Sequence, residues 1–171
     1  MKKDFIKILK HDGIGVIPTD TLYGLVGSAY SSVAINRIYK IKRRDKKNKF
    51  IILISNIKDL EKFNIKISNV EHSVFNKYWP GKVSIIIDGI AFRLPKNKKL
   101  IKIIKKTGPL VAPSANPEGL KPAENIKQAK KYFGDNVDFY LAGGNLKSKP
   151  SKLIKIEKNG EIKILRGIIK K

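Results

Sequence analysis

The residues of this chain that could do chemistry are cations and small hydroxyl or amide side chains. Nine stand beside apolar segments: Thr21, Lys42, Arg44, Asn48, Arg93, Ser114, Asn116, Ser151 and Arg166. There is no cysteine, and His11 and His72 lie far apart, so neither a thiolate zinc site nor another transition-metal centre is expected. No Gly-x-x-x-x-Gly-Lys-Ser/Thr loop occurs, and Gly13 and Gly15 precede a strand where a dinucleotide fingerprint would follow one. A Ser-His-Asp triad has only those two histidines to draw on, and neither sits near a nucleophile elbow. What remains suits a phosphate-bearing substrate, held in place while its developing charge is neutralised. Phosphoryl and nucleotidyl transfer are catalysed mostly in that way.

These side chains need elements to position them. Gly108 to Asn116 reads as a buried strand (Leu110, Val111, Ala112) stopped by Pro113, which has no N–H for a ladder. Ser114 and Asn116 then emerge at a strand end, where open α/β sheets bind ligands. Gly15 to Pro18 reads as a strand running into the polar turn Thr19-Asp20-Thr21. Ser31 or Ser32 caps a helix whose apolar face is Val33, Ala34, Ile38 and Ile41. That helix delivers Lys42 to Lys49 into a loop before the apolar strand Phe50 to Ile54, a junction suited to meeting an anion at the sheet edge. Arg93, inside the strand Ile90 to Leu94, must find a partner, because an unpaired buried charge costs several kcal/mol. A salt bridge or an anionic ligand would serve.

Further helices are expected over 3–11, 56–63, 68–78, 96–106 and 123–132, with strands at 83–87 and 137–141. A terminal hairpin is expected around Asn159-Gly160, Leu153 to Ile156 pairing with Glu161 to Leu165. Strands alternating with helices predict one α/β domain over 1–171, a twisted mixed sheet with flanking helices.

The 171 residues suffice for one sizeable core. No apolar run is long enough for a bilayer, and the apolar segment after Met-Lys-Lys-Asp is too short for a signal peptide, so no membrane association and a cytoplasmic location are expected. The net charge is +23, from 37 Lys+Arg against 14 Asp+Glu, which attracts polyanions. Only Arg37, Arg43, Arg44, Arg93 and Arg166 are arginines, so the excess also reads as a lysine-biased composition. Where lysine is the default cation, the arginines are the informative ones.

Several segments, in order, resemble the YrdC (TsaC) family of threonylcarbamoyl-adenylate synthases. Pro18 to Leu25 is similar to its opening signature, Lys42-Arg43-Arg44 to its Lys-x-Arg element and Trp79-Pro80-Gly81 through Ser84 to its Trp-Pro-Gly segment. Phe92 to Pro95 resembles its Arg-x-Pro strand, Pro113 to Asn116 its Ser-Ala-Asn loop, and Pro150-Ser151 with Ile164 to Gly167 its closing elements. The resemblance implies that a carbamate of L-threonine, made from bicarbonate or CO2, attacks the α-phosphate of ATP, giving threonylcarbamoyl-AMP and pyrophosphate. Transferase proteins downstream would then pass the group to tRNA.

It also implies a twisted sheet with a large, positively charged concave cavity. Lys42, Arg44, Ser114 and Asn116 would surround the nucleotide phosphates, with Asn48, Ser84 and Arg166 contributing. Thr21, Tyr23, Arg93 and Ser151 would hold the amino acid, Arg93 as a fork on its carboxylate. Mg2+ would share the phosphate charge without a dedicated protein site. Asp45 and Lys49 stand where prolines are common, Ser84 replaces a threonine, Pro122 stands where a serine is common, and Lys152 where a threonine is. The length and Leu53, in place of a histidine, resemble the short, single-domain form. A non-catalytic module binding tRNA or double-stranded RNA in the same concavity is the alternative.

Overall fold

Apolar strands and capped helices alternate to build a nine-stranded mixed sheet in this computed structural model, which describes residues 4–157 and 159–167. The strands are β1 (Ile14–Pro18), β2 (Tyr23–Ser28), β3 (Ile52–Leu53), β4 (Val83–Ile87), β5 (Ile90–Arg93), β6 (Leu110–Val111), β7 (Phe139–Tyr140), β8 (Lys152–Ile156) and β9 (Ile162–Arg166). Their order across the sheet is β7-β1-β2-β6-β3-β5-β4-β8-β9. The β7–β1, β3–β5 and β4–β8 pairs are parallel and the others antiparallel. The terminal hairpin forms as expected; Lys3 of the first expected helix lies outside the described residues.

The helices are α1 (Phe5–Lys10), α2 (Ser32–Lys42), α3 (Asn69–Tyr78), α4 (Lys98–Thr107) and α5 (Ile126–Phe133), with a 3-10 helix over Ile57–Phe63. Each α-helix starts at a side chain that accepts from otherwise orphaned N–H groups: Asp4, Ser31, Ser68, Asn97 and Asn125. The Asn125 cap moves the start of α5 from the expected 123 to 126. Likewise the Asn97 cap starts α4 at 98.

Two expectations are corrected. The apolar run Phe50 to Ile54 contributes only Ile52 and Leu53 to the ladder, since apolar character fixes burial but not pairing. Val33 is 55% exposed, and the buried stripe of α2 is Ala34, Ile38, Tyr39 and Lys42. The i, i+4, i+8 spacing thus places a lysine on the apolar stripe.

The two sheet faces are covered unequally. Ile52, Ile85, Phe92 and Ile154 share one core with residues of α2, α3 and α5. On the other face, Ile17, Val26, Leu53 and Leu110 pack with Leu9 of α1 and Leu100 and Ile104 of α4. Register carries that second face across the sheet: Leu53 pairs with Arg93, Ile86 with Ala91, Ser84 with Leu153 and Leu153 with Arg166. Successive side chains alternate faces, so Arg93, Ala91, Ile86, Ser84, Leu153 and Arg166 all lie on the α1–α4 side, beyond the helices' own packing cluster.

Candidate functional site

The uncovered part of that face is the floor of a cavity of about 510 Å³. Ile86, Ala91 and Leu153 line it, with Arg93 and Arg166 at their edge. One wall is the β1–β2 turn with Thr19 and Thr21, another the loop after α2 with Arg44, Lys47, Asn48 and Lys49, and a third the segment Ala112 to Ser114. Five lining residues are cations, and none is Asp or Glu.

The β1–β2 turn is tied by Thr19, whose hydroxyl donates to the Leu22 carbonyl (2.6 Å) and accepts from the Thr21 and Leu22 N–H groups. This is the local bonding that makes threonine a turn residue. It presents Thr21, whose hydroxyl accepts from Arg93 Nη1 at 3.3 Å. Arg93 is 4% exposed and finds its partner within the chain: Nη2 lies 2.9 Å from Asp20 Oδ1. That contact is an ion pair rather than an aligned hydrogen bond, and Nε has no hydrogen-bond partner among the described residues. Burial pulls the Arg93 pKa down, Asp20 opposes this, and Arg166 adds to it. The salt-bridge reading of Arg93 is therefore realised, and Asp20, which the motif analysis passed over, is its counter-ion. The signal lay in Arg93 itself: a cation in an apolar strand requires a carboxylate.

Ser84, Ser151 and Arg166 form one chain of contacts. The Ser84 and Ser151 hydroxyls are 3.0 Å apart, and Arg166 donates to the Ser151 carbonyl (3.0 Å) and hydroxyl (3.1 Å). Ser84 is fully buried behind Ser151. Burial, then the nearby Arg44, lowers the Arg166 pKa.

Lys42 is 1% exposed and does not line the cavity. Its Nζ donates to the Ser114 carbonyl at 2.7 Å and to the Asn116 carbonyl, gripping the Ser-Ala-Asn loop from behind. Burial first, and then repulsion by Arg44, lower its pKa to about 8, with Glu118 opposing. The loop is fixed from within as well: Ser114 Oγ donates to Asn116 Oδ1 at 2.6 Å, and Asn116 Nδ2 donates to the carbonyls of Pro117 and Leu120. Ser114 lines the cavity while Asn116 stands behind it. Of the four, Arg44, from the loop after α2, and Ser114 line the cavity, while Lys42 and Asn116 stand behind the Ser114 segment and hold it.

Arg44 reaches the wall because Arg43, at the end of α2, takes a left-handed conformation (φ 53) that ends the helix. Arg44 Nε donates to the Asn48 carbonyl (3.1 Å), and its guanidinium lies over the Phe50 ring, itself stacked on Tyr39. Tyr23 is among the lining residues, but its hydroxyl serves the fold: it donates to the Gly144 carbonyl and accepts from Gly143 N–H, both at 2.8 Å. His11 and His72 lie on α-helices or their ends, exposed and outside the cavity.

Comparison with known proteins finds relatives that match nearly the whole chain. The Sua5/YciO/YrdC family model, described as "Telomere recombination", matches residues 7–167. A threonylcarbamoyl-AMP synthase of Hahella chejuensis is 27% identical over 164 residues, 86% of this chain and 89% of that protein. The crystal structure of P. abyssi Sua5 complexed with L-threonine superposes with a TM-score of 0.85 at 24% identity, covering 95% of this chain but 52% of that one, so this chain spans about half its length. E. coli YciO superposes at 0.84 with 21% identity, over 95% of this chain and 86% of its own. With nearly its whole length matched, the chain belongs to the Sua5/YciO/YrdC family.

Proposed function

We propose that this protein is an L-threonylcarbamoyladenylate synthase, a nucleotidyltransferase acting on L-threonine, bicarbonate or CO2, and ATP. The observation that carries the reading is the cavity wall: three arginines and two lysines, interleaved with the hydroxyls of Thr21, Ser114 and Ser151, and no lining carboxylate. Such a wall complements a triphosphate and repels no anionic substrate.

In the reaction, the threonine amine adds to CO2 and loses a proton. The resulting carbamate oxygen then forms a bond to the α-phosphorus of ATP as the bond to the bridging oxygen breaks, and pyrophosphate leaves with the electron pair. The carbamate brings its own nucleophilic oxygen, so the protein's part is to hold, align and neutralise. Arg44 and Arg166 offset charge on the phosphates, and the loop that Lys42 and Asn116 hold in place presents the Ser114 hydroxyl, which turns away from Asn116 Oδ1 to donate to a phosphate. Thr21, Ser151 and Arg93 receive the amino acid; Arg93, already shared with Asp20, offers a fixed donor edge rather than a free charge.

Among the described residues no group of three His, Cys, Asp or Glu side chains is placed to hold a metal ion, and the cavity lining has no carboxylate. Magnesium would be carried by the phosphates of the MgATP substrate, where it would share their charge with Arg44 and Arg166. The product is consumed by proteins that transfer the threonylcarbamoyl group to tRNA. Among the described residues no helix is long and apolar enough to cross a membrane.

Incubation with MgATP, bicarbonate and L-threonine, followed by mass spectrometry, is the test. Threonylcarbamoyl-AMP and pyrophosphate are expected, both requiring threonine. Pyrophosphate release without any threonine dependence would refute the reading.

A further inference from the structure

The sheet ends in a strand whose outer edge no described strand covers. β9 pairs with β8 on one side only, and all five of its residues are exposed, Ile162, Ile164 and Leu165 among them. Val70 of α3, also exposed, stands beside it, its Cγ1 3.1 Å from where a β-carbon on Gly160 would be. Four of the seven large apolar side chains exposed among the described residues therefore gather at this edge. Sheet edges are normally blunted by shortness, by proline or by charge. The opposite edge follows that rule, since β7 has two residues and buries Phe139. β9 has five residues, no proline and an apolar face.

That edge is complementary to itself. Ile164 is paired with Ile154 and Ile162 with Ile156, so both lie on the sheet face that α3 covers, as Val70 does. The Glu157 N–H donates to the Glu161 carbonyl, so Glu161 and Lys163 turn their backbone groups toward β8. By alternation Ile162 and Ile164 turn theirs to the open side. A second β9 can run antiparallel along it about a two-fold axis, and because opposed side chains share a face the axis passes through a single residue pair. Centred on Lys163, the pairing sets lysine against lysine. Centred on Ile164, it sets Lys163 against Leu165 and pairs no charge. Centred on Ile162, it sets Glu161 against Lys163 of the second copy twice over, and Ile164 against Gly160, beside Val70 of that copy. Opposite charges stabilise a cross-strand pair and like charges oppose it, so the charge pattern selects the last register.

We infer that β9 is a self-association edge, through which two copies of this chain pair antiparallel about Ile162 into one continuous sheet. The register uses residues 160–164 and leaves Arg166 to the cavity, so the inference does not depend on the proposed reaction.

The test is sedimentation equilibrium of the full chain from roughly 1 to 200 μM, in about 0.3 M salt to screen the net charge of +23. The mass is expected to rise from one chain toward two and no further. Lys163→Glu lowers the net charge but sets glutamate against Glu161, so dimerisation should weaken about tenfold. Glu161→Lys should weaken it likewise, and Glu161→Lys/Lys163→Glu should restore the parental constant. Ile162→Thr keeps a strand-forming residue and should weaken pairing about tenfold, whereas Val33→Thr, at an exposed valine of α2, should change nothing. Every substituted side chain is exposed, so the monomer fold is expected to persist in all of them. The chain has no cysteine, so a single introduced one reports the register. Ile162→Cys should cross-link to its own copy on mild oxidation, the two α-carbons being about 5.5 Å apart. Ile164→Cys, about 14 Å from its copy, should not. A monomer at every concentration, masses beyond two chains or equal cross-linking at the two positions would overturn the inference. So would tighter dimers from Lys163→Glu, or equal losses from Ile162→Thr and Val33→Thr.

Discussion

Two buried charges set the character of the site at the residue scale. Arg93 and Asp20 have side chains only 5% and 8% exposed, and removing one partner of such a pair strands the other in a poor dielectric. Asp20→Leu is expected to cost about 3 kcal/mol in urea denaturation, and Asp20→Leu/Arg93→Met to recover much of that loss. A single variant as stable as the parent would remove the pair from the account. Lys42 differs, since its charge is held by two carbonyls rather than by a carboxylate. An unfolded lysine keeps its proton to about pH 10.4, whereas folded Lys42 releases it at about 8. Between those values the unfolded chain binds more protons, so stability should rise with pH across that window. The urea midpoint of Lys42→Met, followed from pH 8 to 10, should lack that rise. Its adenylate formation should also fall tenfold or more, because the Ser114 loop loses its clamp.

Among the elements, the end of α2 decides where Arg44 points. Arg43 occupies the left-handed region, which costs a residue with a β-carbon roughly 1 kcal/mol. Arg43→Gly should therefore retain activity and gain up to about 1 kcal/mol, while Arg43→Val should lose stability and misdirect Arg44; thermal melts and rates measured together check both. The loop 142–145 is held as closely. A β-carbon on Gly143 would stand 2.5 Å from Pro18 Cβ, so Gly143→Ala must break the latch between Tyr23 and Gly144. A loss of about 1–3 kcal/mol is expected by denaturant titration.

On the scale of the whole molecule, the cavity exists because α1 and α4 cover one part of a sheet face and leave the rest open. Its cations come from three separate segments, the loop after α2, β5 and β9, so a polyanion bound there ties distant parts of the chain together. Saturating MgATP with L-threonine, at about a hundred times the dissociation constant, should add about 2.7 kcal/mol and raise Tm by roughly 5–10 °C. The shift from MgATP should shrink as salt rises, since the exposed lysines at the rim are screened. A shift unchanged by salt would place the nucleotide away from these cations.

Much of this was written in the sequence. Alternation of apolar strands and capped helices, the Pro113 stop before Ser114 and the Asn159-Gly160 turn are local signals, and each produced the expected kind of element because its cause lies within a few residues. The arginines were legible too, standing out against a lysine background. What lay beyond the sequence was set by contacts between segments far apart in the chain. Neither the length of a ladder strand, as at Phe50 to Ile54, nor the choice of Asp20 as the partner of Arg93 follows from local pattern. The same holds for the placing of Lys42 behind the loop rather than in the cavity. Composition and spacing determine which groups are present and which face of an element they occupy; only pairing register and helix packing bring those faces together, because the energies that select them act across the sheet.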